Sequence, residues 1–217
     1  VASLFIASFG LIGAGLAAYY RGSYTSPFSS YAAFVPTQGI VIILLCAVTL
    51  LALLGGFKRY KNDDEHTGDY FGLILFSLCG AILMAQPGDL MLFFIGLEIL
   101  SIPIYVLVGI DKGSSTSAEA AVKYFFTGSF ASAILLFGIA LLYGATGSFQ
   151  LIEIQSNLAI GIWQSPMAMI GSLFILAGFI FKIGAVPFHF WGPDVYAGAS
   201  NAVLMYMSTV VKIAGIY

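Results

Sequence analysis

Apolar residues run through this chain in long continuous blocks rather than in alternation. Seven blocks can be marked, at 1–20, 38–57, 70–86, 88–110, 118–143, 167–190 and 199–217. Each is close to the roughly 20 residues that a helix needs to cross the hydrocarbon core of a bilayer. Between them lie short runs of turn formers, such as Lys61-Asn-Asp-Asp-Glu-His66 and Gly113-Ser-Ser-Thr-Ser-Ala118, and longer polar stretches at 21–37 and 144–166. Continuous runs without period-two alternation exclude a membrane β-barrel. The pattern predicts an all-α integral membrane protein, a polytopic helical bundle. Its third and fourth spans should form an antiparallel hairpin across Gln86-Pro87-Gly88.

Composition agrees. Hydrophobic residues make up 60% of the chain and charged residues 8%, whereas a soluble domain carries about 25% charge. A net charge of −2 offers nothing for nucleic acid to bind. Cys46 and Cys79 both fall in apolar runs without metal-site spacing, so both are expected as small core residues. The sequence starts at Val1 and stops at Tyr217, each inside an apolar run, and a piece of a longer protein is expected.

Charge placement predicts orientation. If the spans alternate, loops 58–68, 111–117 and 191–198 share one face, with Lys58, Arg59, Lys61 and Lys112. The opposite face, with 21–37 and 144–166, holds Arg21. The first face should be cytoplasmic by the excess of Lys and Arg.

Four ionisable residues remain inside the spans: Glu98, Lys123, Lys182 and Lys212. A charge at the bilayer centre costs about 2.5–3.5 kcal/mol on insertion scales, so such residues face the bundle interior and mark ion or proton paths more often than simple salt bridges. Lys123 lies only about two turns into its span and could snorkel. In Glu98-Ile-Leu-Ser-Ile-Pro103 and Lys182-Ile-Gly-Ala-Val-Pro187 a proline follows the charge by five residues. Proline cannot donate to the carbonyl four residues earlier, so the Ile99 and Ile183 carbonyls are freed beside the charges. In a membrane each must meet water or a polar side chain. Gly184 makes a true helix break the expectation at the second site. Lysine rather than carboxylate points to protons rather than metal ions, because a desolvated amine can give up its proton. Glu98 is expected to approach Lys123 through water. His189 is a candidate to extend the donor chain towards the cytoplasmic face.

The stretches Gly96-Leu-Glu-Ile-Leu-Ser-Ile-Pro-Ile-Tyr-Val-Leu-Val-Gly109, Glu119-Ala-Ala-Val-Lys-Tyr-Phe125 and Phe181-Lys-Ile-Gly-Ala-Val-Pro-Phe-His-Phe-Trp-Gly-Pro-Asp-Val-Tyr196 closely resemble the antiporter-like membrane subunits of respiratory complex I, its N-type branch most of all. The resemblance runs from about Asp69 onwards. It implies one unit of an inverted-repeat antiporter-like fold with a broken helix. Residues 1–68 would be two N-terminal transmembrane helices and a polar loop. Residues 69–217 would be the first proton-translocation repeat, of five helices with the last truncated. Members have about fourteen helices, and this chain would correspond to the second through eighth.

By the same resemblance Glu98 is the glutamate that modulates a neighbouring lysine, and Lys123 the lysine paired with it. Lys182 is the central lysine of the broken helix, and Lys212 leads towards the second half of the path. The implied function is proton translocation within an NADH:quinone oxidoreductase in the bacterial plasma membrane. No cofactor is expected in this chain. NADH, FMN, iron–sulfur clusters and quinone would sit in partner subunits. The implied partners are neighbouring antiporter-like subunits, small membrane subunits and the lipid bilayer. Two alternatives stay open: a subunit of a multisubunit Na⁺/H⁺ antiporter or membrane-bound hydrogenase, and a structural membrane scaffold.

Overall fold

The computed structural model describes residues 2–20, 36–60, 67–86, 88–161, 163 and 165–217. Its helices are α1 (Ala2–Tyr20), α2 (Pro36–Tyr60), α3 (Thr67–Met84), α4 (Leu90–Val108), α5 (Ser115–Thr146), α6 (Leu151–Ala159), α7 (Pro166–Ile183), α8 (Gly192–Gly198) and α9 (Asn201–Ile216). Within α2, α4, α5 and α7 there is enough apolar length to cross a membrane, and α1, α3 and α9 are shorter apolar helices. These seven elements fall on the seven apolar blocks.

Two differences from the sequence pattern stand out. The stretch 144–166 is not wholly loop but contains the short helix α6. The block 167–190 ends as a helix at Ile183 and continues as turns into α8. A stretch that reads as a polar loop hides the first and uniform apolarity the second, since hydropathy reports depth rather than backbone path.

Local signals fix the helix ends. The Asp89 carboxylate accepts from the amides of Met91 and Leu92 at 2.8 and 3.1 Å. Ser114 caps α5 through Ser117 N at 3.2 Å, and Ser165 caps α7 through Ala168 N at 3.1 Å with Pro166 at the first turn. Each gives an otherwise orphan amide an acceptor.

Association between the helices relies on small residues that let backbones approach. On α3, Gly80 lies against Gly96 of α4, and Gly138 of α5 lies against Gly171 of α7. A Cβ added at Gly138 would meet the Gly171 carbonyl at 2.7 Å, and one at Gly171 would meet the Gly138 carbonyl at 2.9 Å. The pairs α3–α4 and α5–α7 accordingly pack along their lengths.

Connections gather in two layers, as strict alternation requires. On one side Leu90 N donates to Phe149 O at 2.9 Å and Leu151 N to Gly88 O at 3.1 Å, which ties the α3–α4 turn to the start of α6. Thr37 and Tyr217 hydroxyls meet at 3.1 Å, where α2 begins and α9 ends. On the other side Lys123 near the start of α5 reaches Asp194 of α8. Of the residues that set the expected orientation, Arg21 and Lys61 lie outside the described residues, as do the side chains of Lys58 and Arg59. Cys46 is buried as expected, but Cys79 is exposed on α3. A small thiol suits a lipid-facing helix surface as well as a core.

Candidate functional site

The break in α7 organises the site. Gly184 takes a left-handed conformation (φ +69°) that only glycine adopts without strain, and it ends the helix. Its amide and that of Ala185 turn back to the Phe181 and Ile180 carbonyls, each at 3.0 Å. The Phe181 carbonyl also accepts from the Trp191 indole N–H at 3.1 Å. The Ile183 carbonyl, which Pro187 leaves without an amide donor, accepts from Lys212 Nζ. The expectation that this carbonyl finds a polar partner is met, and the partner is a lysine from α9. An ammonium there also faces the negative end of the α7 dipole. Lys212 further lies over the Trp191 ring, 5.2 Å from its centre, a cation–π contact.

Lys182, one residue before the break, turns the other way. It is 5% exposed, with Nζ donating to the Tyr105 hydroxyl at 3.4 Å and 5.5 Å from that ring's centre. Glu98 lies close enough to act electrostatically on both Lys182 and Tyr105. Its Oε1 is buried and has no hydrogen-bond partner among the described residues. Such an orphan oxygen requires water or a proton. Lys212 lies near enough across the break to act electrostatically on Lys182. Glu98, Lys182 and Lys212 are therefore brought into one neighbourhood, with Lys182 buried and the other two half-buried.

At Pro103 the outcome differs. Helix α4 continues through it. The Ser101 hydroxyl bonds to Leu97 O, and Ser77 of α3 donates to Leu100 O at 2.8 Å. The Tyr206 and Ser77 hydroxyls lie 3.1 Å apart, which links α9 to the same spot. With no glycine at the following turn, neighbouring hydroxyls absorb the distortion and the helix does not break.

Lys123 is not brought to Glu98. Its side chain is 47% exposed and forms ion pairs with Glu119 at 2.8 Å and Asp194 at 2.7 Å. The expected approach fails because Lys123 sits near the start of α5 while Glu98 is mid-span. A carboxylate one turn back and another on α8 are both nearer. His189 is exposed on the turns between α7 and α8. It is not joined to Lys182.

Sequence reasoning passed over Tyr105, Trp191 and Asp194, the residues that hold the three lysines. Tyr105 carried a usable signal: with Glu98 and Ser101 it makes an i, i+3, i+7 stripe on one helix face. Trp191 and Asp194 had none, since only the break folds them back onto α9 and α5.

A polytopic membrane bundle with a buried lysine and a half-buried one at an interrupted helix defines a class of membrane protein built like the transporters whose helices break in mid-membrane. The comparisons name the family. The model of the NADH:quinone oxidoreductase/Mrp antiporter transmembrane region matches residues 87–217, and the chain belongs to this family. The NADH-quinone oxidoreductase subunit N of Trichlorobacter lovleyi is 40% identical over 214 residues, 95% of this chain and 43% of that protein. A chain of respiratory complex I from Thermus thermophilus superposes with a TM-score of 0.81 at 30% identity, covering 99% of this chain and 46% of that one. A chain of the membrane-bound sulfane sulfur reductase, an archaeal respiratory membrane complex, superposes at 0.78 with 29% identity, covering 99% and 44%. The chain thus spans less than half the length of these relatives.

Proposed function

We propose that this chain forms part of a proton-translocating subunit of an NADH:quinone oxidoreductase, with protons handed between Glu98, Lys182 and Lys212. Electron transfer from NADH through FMN and iron–sulfur clusters to quinone then belongs to partner subunits, and neighbouring antiporter-like and small membrane subunits flank this one. Residues 69–217 act as one translocation repeat and residues 1–68 as two preceding spans. The face with loops 58–68, 111–117 and 191–198 is cytoplasmic. Lys123 serves at that face as an interfacial ion pair and proton entry point.

The observation that carries the reading is Lys182. A lysine 5% exposed, held by a tyrosine hydroxyl at 3.4 Å beside an unpaired buried carboxylate oxygen, is a costly arrangement for a scaffold. It suits a group whose charge comes and goes. The likeness to the sulfane sulfur reductase chain supports a second reading, the same transport unit in a different respiratory complex. The redox partner rather than the lysines would separate the two.

The test is proton pumping by the assembled parent complex, normalised to its NADH oxidation. Lys182→Ala should abolish pumping, and a water can fill the polar space left behind. Lys182→Arg should also impair it, since a guanidinium keeps its proton. A normal pumping ratio in the Arg variant would remove deprotonation of Lys182 from the mechanism.

A further inference from the structure

We infer that the Tyr105 hydroxyl is a proton relay between Glu98 and Lys182, an inference that rests on Lys182 being a translocating residue. Three observations converge on it. The first is the gap. Among the described residues Glu98 Oε1 has no partner, and the side-chain hydrogen bond of Lys182 goes to Tyr105 rather than Glu98. Along α4, Glu98 and Tyr105 are two turns apart, about 10 Å of rise, which a carboxylate cannot span alone. Ser101 lies between them on the same stripe, its hydroxyl donating to Leu97 O. Helical side chains lean towards the N-terminus, so the Tyr105 hydroxyl is carried back over Ser101 and towards Glu98. Of the two hydroxyls on this stripe, that of Tyr105 is the one bonded to Lys182.

The second observation is how firmly the ring is held. Tyr105 is 5% exposed and meets Tyr124 edge to face with ring centres 4.8 Å apart. Gly128 of α5 leaves the space that its hydroxyl end occupies, and any Cβ there would strike the ring. Tyr124 in turn stacks on Trp191 at 4.8 Å, the residue that supports Lys212. The hydroxyl is thereby fixed at the lysine and cannot turn aside into lipid.

The third is chemical. Packing in this aromatic cluster could be met by phenylalanine, and burying an extra hydroxyl is favourable only where it is hydrogen-bonded. At this point the oxygen accepts from Lys182 when the amine is protonated, and the O–H donates to Lys182 when the amine is neutral. A group that reverses its bond in this way passes a proton without keeping it. The O–H bond of a protonated Glu98 breaks, the Tyr105 hydroxyl gains one proton and releases one, and an N–H bond forms at Lys182. Carboxylic acid and amine become carboxylate and ammonium, and the hydroxyl ends as it began.

The test uses the assembled complex with Tyr105→Phe, which keeps the ring and its contacts and removes only the oxygen. Pumping per NADH oxidised should fall about tenfold or more, the scale lost with a positioned proton-transfer group, while assembly and NADH oxidation persist. Normal pumping in Tyr105→Phe with pumping lost in Lys182→Ala would overturn the relay and leave the reading of Lys182 intact. Normal pumping in both variants would overturn that reading as well. Should Tyr105→Phe fail to assemble, fluorotyrosine placed at 105 decides, because it keeps shape and hydroxyl but makes the phenol more acidic. A displaced pH profile of pumping supports the relay, and an unchanged profile overturns it.

Discussion

Lys182 and Lys123 are the same side chain placed in opposite circumstances, and the difference lies in what each can reach. Lys182 is enclosed by Tyr105 and the break. Lys123 extends into the open and bridges two carboxylates, one on its own helix and one on α8. A pair that exposed contributes little to stability by itself, and its value is positional. It ties the short helix after the break to the start of α5. Lys123→Glu should set three carboxylates side by side and loosen α8, read as faster proteolysis of the 184–200 segment in solubilised protein. Adding Asp194→Lys should restore resistance. A single reversal that cleaves no faster than the parent would mean that the pair does not hold α8. The three ionisable residues around the break were legible in the sequence because a charge in an apolar run is costly and so rarely accidental. Asp194 was not, since an acid in a polar turn is ordinary until the fold brings a lysine to it.

A glycine decides the outcome for α7 where a proline does not for α4. In both stretches Pro follows a charge by five residues, yet α4 runs on through Pro103 while α7 stops at Gly184, before its Pro187 is reached, and the φ of that glycine is +69°. Gly184→Ala should cost about 1–2 kcal/mol for the left-handed backbone alone. A Cβ there would also lie 2.9 Å from Lys212 Nζ, and so press on the lysine that caps Ile183. The variant should show a lower melting temperature in detergent and reduced pumping. Wild-type values on both measures would mean that neither the turn nor the Lys212 contact depends on that glycine. The break itself was legible from Gly and Pro together. That a lysine from α9 would satisfy the freed carbonyl was not, because local sequence cannot say which distant helix packs there.

The number and order of spans were legible almost entirely, since hydropathy measures what a bilayer demands. Helices α6 and α8 were missed because each is shorter than a span and lies in a stretch whose polarity or apolarity already had another explanation. The inter-helix partnerships, α5 with α7 and α3 with α4, depend on matched glycines far apart in sequence and came only with the fold. Orientation in the bilayer can be checked directly. Ser114 caps α5, so the adjoining exposed Gly113, which has open space around it, is the better reporter. A cysteine at 113 should be labelled by an impermeant thiol reagent added outside inverted vesicles and not by the same reagent added outside intact cells. The opposite pattern would invert the topology.

The two backbone bonds between 88–90 and 149–151 have a mechanical meaning. They join the entry of α4 to the chain just beyond α5, like a drawstring closing a purse. Tension applied along the polypeptide from either end reaches this knot before it reaches the interior of either helix. Helices α4 and α5, with Glu98, Ser101 and Tyr105 on the first and Gly128 on the second, therefore resist being drawn out singly and yield as one piece.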